Sequence, residues 1–379
     1  MGTKEELSAL RKRIDGIDEK LISLFVKRME VSLRAAEVKL GNNMPIQDAM
    51  REQEVVDRAV ALGGNGLQGE TMLLMRAIIA LSREYQRGRV ARSSGPLLPP
   101  AREPAGERGK NVVCAFQGVP GAWSEQALMK LFPNAKREAV EFFDDVFLAV
   151  REKRADYGVV PIENSQTGAI GETYDLLRKH GCFIVGRTWL DIRQCLLAPP
   201  GTGLSDVRRV FSHPEGFRQC SRFLHGRAWD LTACRNTAVA AETAAKANDG
   251  RTAAIGSRRA AELNGLAVLV PDVMDSTGNR TSFVVIATEP EYNETCGLVS
   301  ITFSTEHRAG ALCEALMSFM AQGINLTRIE SRPASPGKYR FFVEAEANIL
   351  DPIALQTLRQ AAAACEYFEV IGCYREQAQ

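Results

Sequence analysis

Glu163, Asn164, Ser165 and Thr167 stand together in the stretch Tyr157–Leu177, YGVVPIENSQTGAIGETYDLL. The apolar run Tyr157–Pro161 reads as a buried strand broken at Pro161, and a helix is expected after Gly168. A loop from the C-terminal end of a strand to a helix N-terminus is where an α/β sheet holds an anion, because unpaired backbone N–H groups point at it. A second group lies in the first ninety residues. Leu7, Leu10, Ile14, Ile17, Leu21 and Leu24, then Val31, Ala35 and Val38, follow a heptad seam, and Arg28 occupies a position where that seam requires an apolar residue. A charge on a buried stripe is costly unless something pairs with it. Lys39 is eleven residues further, about three turns, and so shares the face of Arg28. Arg11 is turned by roughly 100° from that face, which suits a pocket of a partner chain better than one of its own.

These groups need elements to hold them. The seam predicts one long helix with a partner helix. A second helix, Ile46–Leu62, is expected with Pro45 at its first position. Asp48, Arg51 and Glu52 would share one face of it by their i, i+3, i+4 spacing. A third, Glu70–Arg87, carries Met75, Ile78 and Ile79 on a stripe that Ser82 and Gln86 continue in polar form. Gly88–Lys110, rich in Pro, Arg, Gly and Ser, reads as a flexible boundary.

From Asn111 strands and helices alternate, which predicts an α/β domain with a parallel core in two lobes around a cleft. Ser124 lies in its first glycine turn (QGVPGAWSEQAL), and His213 and Glu215 in SHPEGFRQC. Asn279 and Thr281 lie in GNRTSF. From Cys296 the pattern becomes strand, helix, strand, strand, helix, strand, a ferredoxin-like βαββαβ unit.

Net charge is +1, with 47 Lys and Arg against 46 Asp and Glu, which gives no basis for a nucleic-acid or membrane partner. Nine cysteines without a CxxC pair and only four histidines make a metal site or disulfide framework a poor fit. The charged, helical N-terminus lacks an apolar leader core, and reduced thiols suit the cytoplasm.

Four segments resemble the prephenate dehydratases: FQGVPGAWSEQA at Phe116–Ala127, Gly158–Leu177 with PIENS, Phe211–Cys220 with SHPEGFRQC, and Ala253–Phe283 ending in GNRTSF. The helical segment is similar to the all-α chorismate mutases, whose dimer shares a long first helix between two sites. The C-terminal words GAL (Gly310, Ala311, Leu312), GIN (with Asn325) and ESRP (Glu330, Ser331, Arg332, Pro333) resemble the ACT domain that binds phenylalanine between subunits.

The resemblance implies a multidomain chain. A chorismate mutase domain would span 1–88, a linker 89–110, a periplasmic-binding-like dehydratase domain 111–290 and an ACT domain 297–379. Its substrates would be chorismate and prephenate, its effector phenylalanine and its assembly at least a homodimer, with no cofactor. Arg11 (from the partner), Arg28, Lys39, Asp48, Arg51, Glu52, Ser82 and Gln86 match the mutase pocket, with Lys39 and Gln86 at the ether oxygen. Thr281 matches the dehydratase's proton donor. Ser124, Glu163, Asn164, Ser165, His213, Glu215 and Asn279 are the other expected contacts of that site.

Two departures stand out. Ser282 replaces the family's arginine after the threonine, which is expected to remove a cation from the site. Glu215 replaces the glutamine of SHPQ, which adds negative charge. An arogenate-preferring dehydratase, or a phenylalanine-responsive binding domain without turnover, is the alternative reading.

Overall fold

A computed structural model describes residues 2–42, 48–64, 66–90, 97–102, 112–335 and 338–377. The chain divides into two compact units, Met1–Pro96 with Ser304–Gly323 and Leu355–Phe368, and Leu97–Phe303 with Ile324–Ala354 and Glu369–Gln379.

The first unit contains three long helices, α1 (Gly2–Gly41), α2 (Ala49–Leu62) and α3 (Gln68–Val90). The expected long first helix is present. Its seam residues remain at the surface of the single chain: Leu7, Leu10, Ile14, Ile17, Leu21, Leu24, Val31 and Val38 are 47–68% exposed. Among its described residues only the C-terminal half is buried anywhere, at Met29 and Ala36; Val56 and Ala59 of α2 and Ile79 and Ser82 of α3 are buried as well. Pro45 and Ile46 lie outside the described residues. The start of α2 differs from expectation: Asp48 is its N-cap, in extended conformation, and accepts the Arg51 backbone N–H at 3.0 Å. Capping satisfies an orphan helix donor, so Asp48 does not share a helix face with Arg51 and Glu52.

The second unit begins with β1 (Val113–Gln117), α4 (Trp123–Leu131), β2 (Lys136–Val140), α5 (Phe143–Arg151), β3 (Tyr157–Asn164), a short β4 (Gly168–Ala169), α6 (Gly171–His180) and β5 (Phe183–Asp191). The chain then forms β6 (Cys195–Ala198), β7 (Arg209–Ser212), α7 (Pro214–Gln219), α8 (Ser221–Leu224), β8 (Asp230–Ala233), α9 (Thr237–Ala247), β9 (Thr252–Gly256), α10 (Arg258–Asn264) and β10 (Ala267–Val270). It returns through β11 (Arg280–Ala287) to the first sheet. The remaining elements are β12 (Leu298–Ser304), α11 (Ala311–Ala321), β13 (Leu326–Ser335), β14 (Lys338–Ala345), α12 (Pro352–Ala363), β15 (Tyr367–Tyr374) and β16 (Glu376–Gln377).

Two sheets make the two lobes. In the larger, the order is β13-β14-β12-β15-β5-β11-β3-β1-β2, and the smaller runs β10-β6-β9-β7-β8. The expected parallel core is partial: β2, β1 and β3 are parallel, while β11 is antiparallel to both β3 and β5. β12 to β15 appear in the order 2-3-1-4, the arrangement of a split βαβ unit.

The β3 strand does not break at Pro161. It continues to Asn164, with the proline beside a bulge in β3 itself: Ser282 lies opposite Glu163 and Phe283 opposite Pro161, so the pairing with β11 passes over Ile162. Close packing fixes this strand further. A Cβ at Gly158 would lie 2.6 Å from Val146 and 2.8 Å from Ile286.

Candidate functional site

The antiparallel pairing of β3 and β11 sets Thr281 opposite Asn164 at their ends. The Asn164 amide is held from both sides. Its Oδ1 accepts the backbone N–H of Gln166 (3.0 Å) and of Thr167 (3.2 Å), a local turn that Asn favours. Two backbone donors on Oδ1 assign the opposite end as Nδ2. Nδ2 donates to Asn279 Oδ1 at 2.7 Å, to Thr281 Oγ1 at 3.0 Å and to the Arg280 carbonyl at 3.2 Å. Ser165 clasps the same segment: its Oγ accepts the Arg280 N–H at 2.9 Å and its own N–H donates to the Arg280 carbonyl at 2.8 Å. Because Thr281 Oγ1 already receives a hydrogen bond, its own proton is available to a different acceptor.

That acceptor space is a cavity of about 390 Å³ between the two lobes. Its walls are the ends of β1, β3 and β11, the start of α4, and the N-terminal ends of α7 and α9. Asn164, Thr167 and Thr281 line it together with Ser124, His213 and Glu215. His213 caps α7 and its Nδ1 accepts the Glu215 N–H at 3.2 Å. That nitrogen is therefore unprotonated, and burial pushes the imidazole pKa below its ordinary value, against the opposing pull of Glu215. Glu215 is held in a two-pronged pair by Arg218, at 2.8 and 2.5 Å, so the charge added by this departure is compensated locally.

Not every expected residue faces the cavity. Glu163 points to the opposite side of β3, as strand alternation requires once the strand runs through to Asn164. There it pairs with Arg328 of β13. Ser282 is fully buried beyond the reach of the cavity, and its Oγ accepts from Arg187 Nε at 3.0 Å. Arg187 in turn pairs with Glu344 at 2.5 Å. The expectation that Ser282 deprives the site of a cation therefore fails, because this side chain does not line the cavity. Neither Asn279 nor Ser165 lines it directly; both act on the Asn164–Thr281 pair.

Residues that the sequence reading passed over also line the cavity. Arg235, just before the Asn236 cap of α9, carries a full positive charge there. Gln194 has its Oε1 buried and Trp123 its Nε1 buried, neither with a hydrogen-bond partner. None of these belongs to a periodic pattern; a cation next to a Ser/Thr/Asn cap was the signal open to sequence reading for Arg235.

In the helical unit, Arg28 is half-buried with Nη1 enclosed and unpartnered, and burial lowers its pKa from the ordinary value. Ser82 is buried and Lys39 half-buried. Gln86 Nε2 donates to the Ser32 carbonyl at 2.8 Å, tying α3 to α1. Glu52 is paired at 2.7 Å with Arg83, a residue the sequence reading missed, and Arg83 also reaches Glu314 at 2.8 Å. Arg51 faces solvent and pairs with Glu54 at 2.8 Å; Arg11 is exposed.

Of the C-terminal residues, Gly310 precedes α11 with φ 83°, followed by buried Ala311 and half-buried Leu312. The pleat of β13 divides the rest. Asn325, Ser331 and Pro333 are exposed, whereas Glu330 and Arg332 are half-buried on the other face. Arg332 pairs with Asp175 at 2.8 Å and lies against Gly171, where a Cβ would come within 2.3 Å of it. Among the described residues no group of His, Cys, Asp and Glu is arranged to hold a metal, and no helix is long and apolar enough to cross a membrane.

Known proteins match both units. Residues 114–291 fit the family model for prephenate dehydratase, and residues 10–87 that for chorismate mutase type II. The bifunctional chorismate mutase/prephenate dehydratase of Escherichia coli (strain K12) is 31% identical over 385 residues, covering 99% of this chain and 97% of its own. The chloroplastic arogenate dehydratase/prephenate dehydratase 2 of Arabidopsis thaliana is 40% identical over 279 residues, 70% of this chain and 73% of its own. The structure of prephenate dehydratase from Arthrobacter aurescens in complex with L-Phe has a TM-score of 0.64 at 28% identity, covering 69% of this chain and 89% of that one.

Proposed function

Because the chain belongs to the bifunctional chorismate mutase/prephenate dehydratase family and carries both activities, we propose that it runs them in sequence toward phenylalanine, with dehydration in the cavity at Thr281. The observation that carries this reading is the Asn164–Thr281 hydrogen bond at the cavity wall, which turns the threonine proton toward a ligand.

Prephenate becomes aromatic by losing its ring carboxylate as carbon dioxide and its ring hydroxyl. The electron pair of the breaking C–CO₂ bond enters the ring as the C–O bond breaks. The departing oxygen takes the Thr281 proton and leaves as water, and the threonine oxygen regains a proton from solvent as the products leave. Aromaticity drives the step, so a neutral hydroxyl held in place and shielded from bulk water is a sufficient acid. Asn164, Asn279 and Ser165 position it; Ser124 and His213 face the same space.

For the mutase we place the chorismate carboxylates on Arg28 and on Arg11 from a second copy, with Lys39 and Gln86 at the ether oxygen and Ser82 and Glu52 alongside. The rearrangement is intramolecular, so fixed cations that fold the substrate and stabilise developing charge are what it needs. Gln86 must then exchange its Ser32 bond for substrate. The exposed seam of α1 supports a homodimer as the minimum assembly.

The βαββαβ strands at 297–379 are assigned as an ACT domain that binds phenylalanine at Gly310–Leu312, Asn325 and the ESRP strand, giving feedback inhibition. The L-Phe complex of the Arthrobacter aurescens relative supports that effector. Nine free cysteines fit a cytoplasmic enzyme. We keep the domain limits at 1–88, 111–290 and 297–379; within the expected linker 89–110, α3 runs on to Val90, Leu98 is buried and the Arg102 N–H donates to the Pro290 carbonyl at 2.9 Å, so its described residues are not free chain.

A second reading is favoured by one observation: the Arabidopsis relative is an arogenate dehydratase as well as a prephenate dehydratase. Phenylpyruvate formed from prephenate, and phenylalanine formed from arogenate, measured on intact protein and on Thr281→Ala, tests both. Loss of both products in the variant supports the cavity as the site. An active variant overturns it.

A further inference from the structure

Arg235 is the one residue with a fixed positive charge among the described residues that line the dehydratase cavity, and the substrate brings two carboxylates. We propose that Arg235 holds the carboxylate of the substrate's pyruvyl side chain, and not the ring carboxylate. This rests on the placement of dehydration in that cavity.

The geometry favours a binding role. Arg235 precedes the N-cap of α9, an eleven-residue helix whose first turn faces the cavity through Thr237. Its Nη1 is paired with Glu141 at 2.5 Å, and both side chains are more than half exposed. A guanidinium presents five N–H donors in a planar fork, so one Glu141 contact leaves another edge that fits a carboxylate. Asn236, next in the chain, caps α9 through Oδ1 and has its Nδ2 enclosed in the cavity wall without a hydrogen-bond partner, which adds a second donor beside the first.

The chemistry decides which carboxylate. The ring carboxylate must surrender its charge to leave as carbon dioxide. A cation on it stabilises the ground state more than the transition state and slows the reaction. The side-chain carboxylate is unchanged from substrate to product, so a cation there contributes affinity without opposing the step. Both carboxylate-bearing groups sit on the ring carbon opposite the hydroxyl-bearing one. An anchor at α9 thus leaves the hydroxyl to the far wall, where β3 and β11 bring Asn164 and Thr281 together.

The test is steady-state kinetics of phenylpyruvate formation by the intact chain, for Arg235→Ala and Arg235→Lys, with phenylpyruvate itself as a product inhibitor. Removing a charge-assisted contact is expected to raise KM for prephenate about ten- to a hundredfold with kcat within a few-fold. The inhibition constant of phenylpyruvate should rise in parallel, since the product keeps the side-chain carboxylate. Lysine, lacking the planar fork, should restore part of the loss. Chorismate consumption is the internal control and should not change.

An unchanged KM overturns the role. A raised KM with unaltered phenylpyruvate inhibition moves the contact to the ring carboxylate and overturns the assignment to the side-chain carboxylate. Failure of the underlying placement is read separately: if Thr281→Ala keeps its kcat, the cavity is not the site, whatever Arg235 does.

Discussion

The two catalytic regions of this chain are built on opposite plans. The dehydratase cavity is lined by residues of one chain between Gln117 and Phe283, and the strands behind it are almost wholly buried. The mutase residues sit on helices whose principal helix leaves Leu7 to Leu24 half to two-thirds exposed. A sheet satisfies its backbone internally and can present a finished site from its strand ends. A helix with an exposed apolar seam is half of a structure. One region therefore encloses a cavity within a single chain, and the other leaves an apolar seam uncovered in the single chain.

The largest expected effects separate the regions outright. Thr281→Ala should lower dehydratase kcat by about 10²–10⁴ while leaving chorismate consumption intact. Arg28→Ala should do the reverse, abolishing chorismate turnover. If either substitution lowers both rates together, the two sites are not independent. Nearly as large is Asn164→Asp. The carboxylate keeps the acceptor for Gln166 and Thr167, but it cannot donate to Thr281 and would draw the threonine proton to itself. A fall in kcat of about a hundredfold is expected; full activity would show that the hydrogen bond runs the other way.

Ile17→Glu on the exposed seam sharpens the contrast at intermediate size. It should shift the oligomer toward monomer in sedimentation and lower mutase activity in a concentration-dependent way, with dehydratase activity per chain unchanged. Equal loss of both would make the seam structural for the whole chain.

The smallest effect is on stability against pH. Burial holds the His213 pKa below its ordinary value, so the unfolded chain binds the proton more readily. Its contribution is present above about pH 6.5 and is lost as the pH falls through the lower folded value. Solvent screening at this half-exposed site keeps it small. His213→Asn, which keeps a capping oxygen, should flatten the fall in thermal midpoint between pH 7.5 and 5.5; identical slopes would remove His213 from the account.

Much of this was legible in the residues. PIENS and GNRTSF meet in space because the hydrogen-bonding side chains at their ends, Asn164 and Thr281, belong to paired strands. Three features were not. Pro161 suggested a strand end, and a one-residue bulge at Ile162, evident only from the pairing with β11, lets β3 continue with Glu163 paired opposite Ser282. Ser282 looked like a missing charge because it stands where the resembling family carries an arginine after the threonine, yet alternation sends adjacent side chains to opposite faces. Arg235 carries no periodicity, and its place at the cavity comes from where α9 begins. Local chemistry is written in the sequence; the direction a side chain faces depends on partners distant in it.

The exposed seam of α1 has a genetic consequence. If each mutase pocket takes Arg28 from one chain and Arg11 from the other, an Arg11→Ala allele and an Arg28→Ala allele are each inactive alone. Random pairing of their products in a twofold dimer makes one working pocket in every mixed pair, about a quarter of the normal number. The two alleles should therefore complement in one cell. Alleles of Thr281 and Asn164 should not, because both side chains line a cavity formed by residues of one chain.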